Sequence, residues 1–374
     1  MNHALRRLRQ DQIDVGTPLE FDVYDEQRNL LLRKGQVICS EKQRDTLLER
    51  GVFADPQHLD DKPAAAGPIN PFWLWNNLER QLARLLKEIA VQTEGVDYSD
   101  ALLGIVSLLQ TLCDKDPDAG LACLTIQDAQ EYPIRHSLES AILVEMLGRR
   151  LNWDAAERRT ATVAALTMNV SILELQARLC VQKSPLTEEQ RRDIHSHPAR
   201  SVALLQAAGV NNRAWLDAVL AHHETPDGRG YPGALTDVAP AALLIHTADV
   251  FSAKLSERAT RRALAPNKAL KMMLESAQPF ERELISVLIK EVGIFPPGTL
   301  VKLGSGELGI VLKRGKLANT PTVAALVNPQ GIPYAQPLRR ETSKQEHQIV
   351  SQVPQEKVLV RLNPSLLWGY QDAA

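Results

Sequence analysis

The 374-residue chain has no excess of either charge: 43 basic side chains stand against 45 acidic ones, for a formal net charge of −2. Broad electrostatic capture of a nucleic acid polymer or a membrane surface needs a face rich in Lys and Arg, so this balance argues against both and leaves room only for a local basic pocket. Cysteine is scarce. Cys39, Cys113, Cys123 and Cys180 are scattered with no C-x-x-C pair, which argues against thiolate zinc sites and redox dithiols and leaves buried, reduced thiols. Long apolar runs are missing as well. The longest, Ala101 to Cys113, is interrupted by Ser107 and Gln110 and is too short to span a bilayer. Met1 to Gln10 carries Arg6, Arg7 and Arg9, but no apolar segment of signal-peptide length follows, so the expected location is the cytoplasm. Neither an internal repeat nor a low-complexity tract is present. What remains, 44% hydrophobic and 24% charged residues, is the balance of a folded chain. At roughly 150 residues per domain, its length corresponds to about two to three domains.

The pattern divides the chain. Pro18 to Tyr24 and Leu30 to Ile38 are strand-like runs joined by the polar segment Asp25 to Asn29, and Ser40 with Gln43 forms a capping-box pattern opening a short helix that stops at Gly51. Residues 1–55 are thus expected to form a small α+β unit. Four prolines and an Ala-Ala-Ala-Gly run make 56–71 a linker. From Phe72 to about Gly293 the period is helical, with Leu78, Leu82, Leu85, Leu86 and Ile89 on one face. Its first part, 72–129, is a helical lead-in that packs on the following helices or pairs with a second copy of the chain. Beyond Phe295-Pro296-Pro297-Gly298, short alternating runs at Leu300 to Leu303, Ile310 to Lys313, Thr322 to Val327 and Val358 to Leu362 make 294–374 a β-rich appendage. The expected fold class is mainly α.

Six of the nine histidines lie between residues 136 and 246. His222-His223-Glu224 precedes Thr225-Pro226-Asp227-Gly228-Arg229-Gly230-Tyr231-Pro232, a loop whose Gly and Pro residues fix a defined shape from which Arg229 and Tyr231 are expected to project. Neighbours on a helix point about 100° apart, so His222 and His223 converge on one site only where a helix ends.

These pieces occur in a telling order: Arg135-His136-Ser137-Leu138, Leu186-Thr187-Glu188-Glu189, His197-Pro198, His222-His223-Glu224 with Asp227 to Pro232, and Ala248-Asp249-Val250-Phe251. In that order, residues 130–293 resemble an HD-GYP domain, the cyclic di-GMP phosphodiesterases of the HD superfamily. The resemblance implies an all-helical domain and a metal site that activates water for attack on a phosphodiester, with His136, His197, His222, His223 and Asp249 as candidate ligands. His246, three residues before Asp249, shares its helical face and is a further candidate. His195 is expected to face solvent.

The signature pair itself departs from the family. Its segment Ala-Ala-Leu-Leu-His-Asp-Ile-Gly-Lys matches Ala164-Ala165-Leu166-Thr167-Met168-Asn169-Val170-Ser171-Ile172. Met168 and Asn169 thus stand at the His-Asp positions, Ile172 at that of the lysine, and Tyr132 at that of a glutamate some members use for a third metal. In the family the aspartate bridges two metals. Two dications ~4 Å apart repel by roughly 17 kcal/mol at an effective dielectric of 20, and a neutral amide does not offset that. A thioether is likewise a poor ligand for hard divalent ions. No binuclear centre is expected, whereas one ion held by His197, His222 and His223 is chemically reasonable.

The resemblance also implies that Arg258 and Arg261 face the dinucleotide, the alternative being solvated charges on a helix; Ala259 and Thr260 stand at the family's proline and tyrosine. The expected function is therefore a cyclic di-GMP signalling protein whose HD-GYP domain has no intact catalytic set and acts by binding nucleotide or protein. The alternative is a metal-dependent phosphodiesterase with a reduced or rearranged site. Expected cofactors are one divalent ion, iron, manganese or zinc, or none. Expected partners are cyclic di-GMP and, at the loop of Asp227, Arg229, Gly230, Tyr231 and Pro232, a diguanylate cyclase or other signalling protein.

Overall fold

A computed structural model describes residues 5–9, 12, 13, 19, 21–34, 36, 38, 41–49, 51–55, 70–91, 98–126, 131–354, 358, 360 and 362–370. The linker up to residue 69, the helix cap at Ser40 and Cys39 lie outside the described residues. The chain is mainly α, with a small sheet before and a second sheet after the helices.

The first sheet has the order β1-β4-β2-β3, formed by β1 (Arg6–Arg7), β2 (Val23–Tyr24), β3 (Leu30–Leu32) and β4 (Phe53–Ala54), with helix α1 (Glu41–Glu49) inserted before β4. The β2–β3 hairpin closes on Asp25, whose carboxylate accepts the Gln27 and Asn29 amides at 2.9 and 2.8 Å. Val23, Val52 and Ala54 are fully buried beneath it.

The helical body begins where Asn70 caps α2 (Pro71–Ala90), accepting the Phe72 and Trp73 amides. The apolar stripe from Leu78 to Ile89 is buried, as its spacing requires. Next come α3 (Tyr98–Lys115), α4 (Pro117–Thr125), α5 (Tyr132–Arg150) and α6 (Ala155–Thr167), the last opened by an Asp154/Glu157 capping box. A 3₁₀ turn at Val170–Ile172 leads into α7 (Leu173–Val181), followed by α8 (Glu188–Ala207), α9 (Arg213–Ala221), α10 (Pro240–Leu255), α11 (Pro266–Ser276) and α12 (Pro279–Val292). One apolar cluster runs from Leu74 to Val292, so α2 to α4 bury their stripes in the same core as the helices that follow.

The second sheet is antiparallel, in the order β8-β7-β6-β5-β9: β5 (Leu300–Leu303), β6 (Leu308–Lys313), β7 (Thr322–Val327), β8 (Pro333–Glu341) and β9 (Ile349–Gln352). Val358 to Leu362 was expected as a strand; its described residues are outside any strand, and β9 pairs with β5 instead. β8 carries Pro333 and Pro337, which an edge strand tolerates because its outer side has no ladder to complete. Short helix α13 (Pro364–Trp368) docks on α2, with the Trp368 and Phe72 rings edge to face at 5.2 Å. Arg314, just past β6, donates to Asp118 of α4 at 2.7 Å and to the Glu291 carbonyl of α12 at 2.8 Å.

Candidate metal centre

Two helical segments, α8 and the end of α9, bring three imidazoles together. His197 sits on the buried face of α8, while α9 ends at Ala221, so that the backbone turns and the His222 and His223 rings lie 4.1 Å apart. The Nδ1 of His197 is 2.6 Å from the Ile194 carbonyl, and that of His222 is 2.6 Å from the Val219 carbonyl. A carbonyl oxygen only accepts, so each Nδ1 bears a hydrogen. Burial, then the neighbouring His222, pushes His197 down to about 3, and burial pushes His222 down to about 4, so both rings are neutral at neutral pH. Their Nε2 atoms are consequently bare. These two atoms are 3.1 Å apart and buried, an arrangement of lone pairs that is favourable only with a cation between or beside them.

His223 supplies a third donor: one nitrogen of each ring falls within 4.8 Å of the others, and burial with His222 beside it holds this ring well below its ordinary value. Three neutral imidazoles within this distance of one another fit one divalent ion, and the set suits zinc, iron or manganese.

The other candidate ligands lie differently. His136 on α5 donates Nε2–H to Asp249 Oδ1 of α10 at 2.8 Å, and its Nδ1 is 2.9 Å from Ser252 Oγ, whose hydroxyl donates to Glu139 at 2.7 Å. Burial favours a neutral Asp249, but the bond from His136 and the surrounding imidazoles override it and hold the carboxyl far below the carboxylate range. His136 and one oxygen of Asp249 are thus bonded to each other. His246, a candidate replacement ligand, directs Nδ1 to the His222 carbonyl at 3.2 Å and Nε2 toward Glu281 at 3.9 Å, so it positions the triad backbone and does not face the bare nitrogens.

Met168 and Asn169 close the end of α6, both buried, and Met168 belongs to the apolar core. Ser171 of the following turn donates its hydroxyl to the His197 carbonyl at 2.9 Å and receives that of Ser201 at 2.9 Å. Ile172 is buried as well.

Tyr231 does not project from its loop as expected. It is half-buried, stacked on His223 at 4.5 Å and tilted against His195 at 4.6 Å, so it covers the triad, while His195 is exposed but stacked. Gly230 makes this possible, because a Cβ there would fall 2.5 Å from the His223 carbonyl oxygen, the Glu224 Cα and the Thr225 nitrogen. Glu224, fully buried, anchors the loop by accepting the Gly233 and Leu235 amides. Arg229 does project, paired with Asp227 at 2.8 Å.

Arg258 and Arg261 lie past the end of α10, not on a helix. Their backbones pair across a tight turn, and the Ala259 amide bonds the Cys180 carbonyl at 2.7 Å, pinning the turn to α7. Arg258 donates to the Tyr132 hydroxyl at 3.0 Å and lies over that ring, which stacks on His136 at 5.4 Å. An open cavity of about 670 Å³ is lined by Cys180, Arg258, Thr260, Arg261 and Arg262.

This order of buried histidines on packed helices has a counterpart in sequence: residues 124–284 match the HD domain family. Residues 124–284 are an HD domain. The segment is homologous to the cyclic di-GMP phosphodiesterase PA4108 of Pseudomonas aeruginosa, 28% identical over 56% of this chain and 51% of that protein. It is similar to the cyclic di-GMP phosphodiesterase PdeB of Borreliella burgdorferi, 23% identical over 48% of each. The 3′3′-cGAMP-specific phosphodiesterase 3 of Vibrio cholerae is 29% identical over 48% of this chain and 41% of its own length. The matches therefore span about half the length of these relatives or less. The fold is similar to that of Bd1817, a HDG"Y"P protein from Bdellovibrio bacteriovorus, with a TM-score of 0.51, 17% identity and coverage of 76% of this chain and 98% of that one. Outside and within the HD domain, among the described residues, no helix is long and apolar enough to cross a membrane.

Proposed function

We propose that this chain is a cyclic di-GMP signalling protein whose HD domain acts by binding, of nucleotide or of a protein partner, and not by hydrolysis. The observation that carries this reading is the end of α6. Where the resemblance calls for a His-Asp pair and a lysine, the chain has Met168, Asn169 and Ile172, all buried and none able to supply anionic bridging or a positive charge. One oxygen of the Asp249 carboxylate accepts from His136. The relatives' cyclic dinucleotide substrates support the ligand class, and Arg258 with Arg261 beside an open cavity supplies guanidinium groups suited to phosphate.

His197, His222 and His223 would hold one divalent ion, which when bound would supply a Lewis acid. That intact triad favours a second reading, residual phosphodiesterase activity from a reduced site. For a protein partner such as a diguanylate cyclase, the surface on offer is Arg229 and the exposed stretch from Pro232, since Tyr231 is turned onto the histidines.

The test is cyclic di-GMP turnover by the purified chain, supplied anaerobically with Fe(II) or Mn(II) and followed by chromatography, with metal assayed on the same sample. The expected result is binding without product. Linear product formation abolished by a chelator would replace this reading with the second.

A further inference from the structure

The His-Pro dipeptide contains a device for aiming the histidine. Pro198 lies inside α8, where residue 198 would otherwise donate its amide to the carbonyl of Ile194. Proline has no such hydrogen, and its ring also crowds the carbonyl four residues back, pushing it off the helix axis. Ile194 is thus left with an acceptor that lacks its helical donor. The structure fills it with the side chain of the neighbouring residue, His197 Nδ1, at 2.6 Å.

We propose that Pro198 is a positioning residue, which frees the Ile194 carbonyl so that His197 is locked as the Nδ1–H tautomer with its Nε2 lone pair facing His222 and His223. This rests on the reading of the three histidines as a metal site. A ligating imidazole must be bare at one nitrogen, and the partner of the other nitrogen decides which one it is. Ser171 reinforces the arrangement by holding the His197 carbonyl at 2.9 Å, which fixes the backbone at the base of the ring. With an ordinary residue at 198, the new amide would compete for Ile194 and the imidazole would be free to exchange its proton between nitrogens.

The experiment uses the full chain, ¹⁵N-labelled at histidine, without metal and then titrated with zinc. In the wild type, long-range ¹H–¹⁵N correlation should show His197 as the Nδ1–H form alone; an Nε2–H form would overturn the proposal without any variant. In Pro198→Ala, the His197 signals should move toward a mixture of tautomers, zinc affinity should fall between about 10- and 100-fold, and the thermal midpoint should not drop, because the helix gains a hydrogen bond. A variant whose His197 stays wholly Nδ1–H would overturn the proposal whatever its affinity. If the wild type takes up no zinc yet the tautomer still shifts on substitution, the metal reading fails while the role of Pro198 stands.

Discussion

The Nε2 atoms of His197 and His222 face one another across 3.1 Å, with both Nδ1 hydrogens already given to backbone carbonyls. Two bare, buried nitrogens this close are costly to leave unpaired, which is the physical ground for proposing a cation there.

One ion per chain is the expected stoichiometry. His222→Ala should lower zinc affinity on the order of 100-fold or more, beyond the range typical of outer-shell partners, while His246→Ala, which removes only the support of the His222 carbonyl, should cost about tenfold. Metal analysis together with calorimetric titration checks both. Two ions bound per wild-type chain would show that Asn169 is no obstacle.

Restoring the pair is the converse test. Met168→His with Asn169→Asp should raise metal content above one per chain, and should produce hydrolysis of cyclic di-GMP only if the lysine replaced by Ile172 is dispensable. Unchanged metal content would place the barrier elsewhere, for instance in the His136–Asp249 bond.

Arg258 joins the turn it forms with Arg261 to the buried site, because it bonds Tyr132 and Tyr132 stacks on His136. Arg258→Ala should weaken cyclic di-GMP binding and cost about 1 kcal/mol of stability through the lost hydrogen bond and ring contact. Arg261→Ala, exposed and bonded to a backbone carbonyl, should weaken binding with little effect on unfolding. Equal affinity of both variants and wild type, by equilibrium dialysis with labelled nucleotide, would make these arginines structural.

The helical architecture was legible in sequence because burial imposes a period: Leu78 to Ile89 shows its face before any coordinates do. The grouping of His197, His222 and His223 was legible through motif order. What eluded the sequence was orientation. Nothing in the residue types says that His136 donates to Asp249, that His246 turns to a backbone carbonyl, or that Tyr231 folds back onto His223, since each depends on which helices pack against which. Ser171 carried a faint signal as a hydroxyl at the family's glycine position. β8 was hidden by its two prolines and by a pattern exposed on both faces.

The second sheet carries its own acid sensitivity. Glu307, buried, accepts Arg340 Nη2 at 2.7 Å, the Tyr334 hydroxyl at 2.8 Å and the Ser305 hydroxyl at 2.8 Å, and the bond from Arg340 foremost pulls its carboxyl down to about 2. A carboxyl lowered in the folded state contributes stability that is fully present above its unfolded value near 4.5 and is lost as pH falls toward 2. That loss amounts to at most about 3 kcal/mol. Chemical denaturation followed between pH 6 and pH 2.5 should therefore show wild type losing stability over the lower part of the range, roughly below pH 4.5. Glu307→Gln should start less stable and should lose correspondingly less over the same interval. Parallel pH profiles for the two proteins would mean that the Arg340 pair contributes nothing net to holding the sheet.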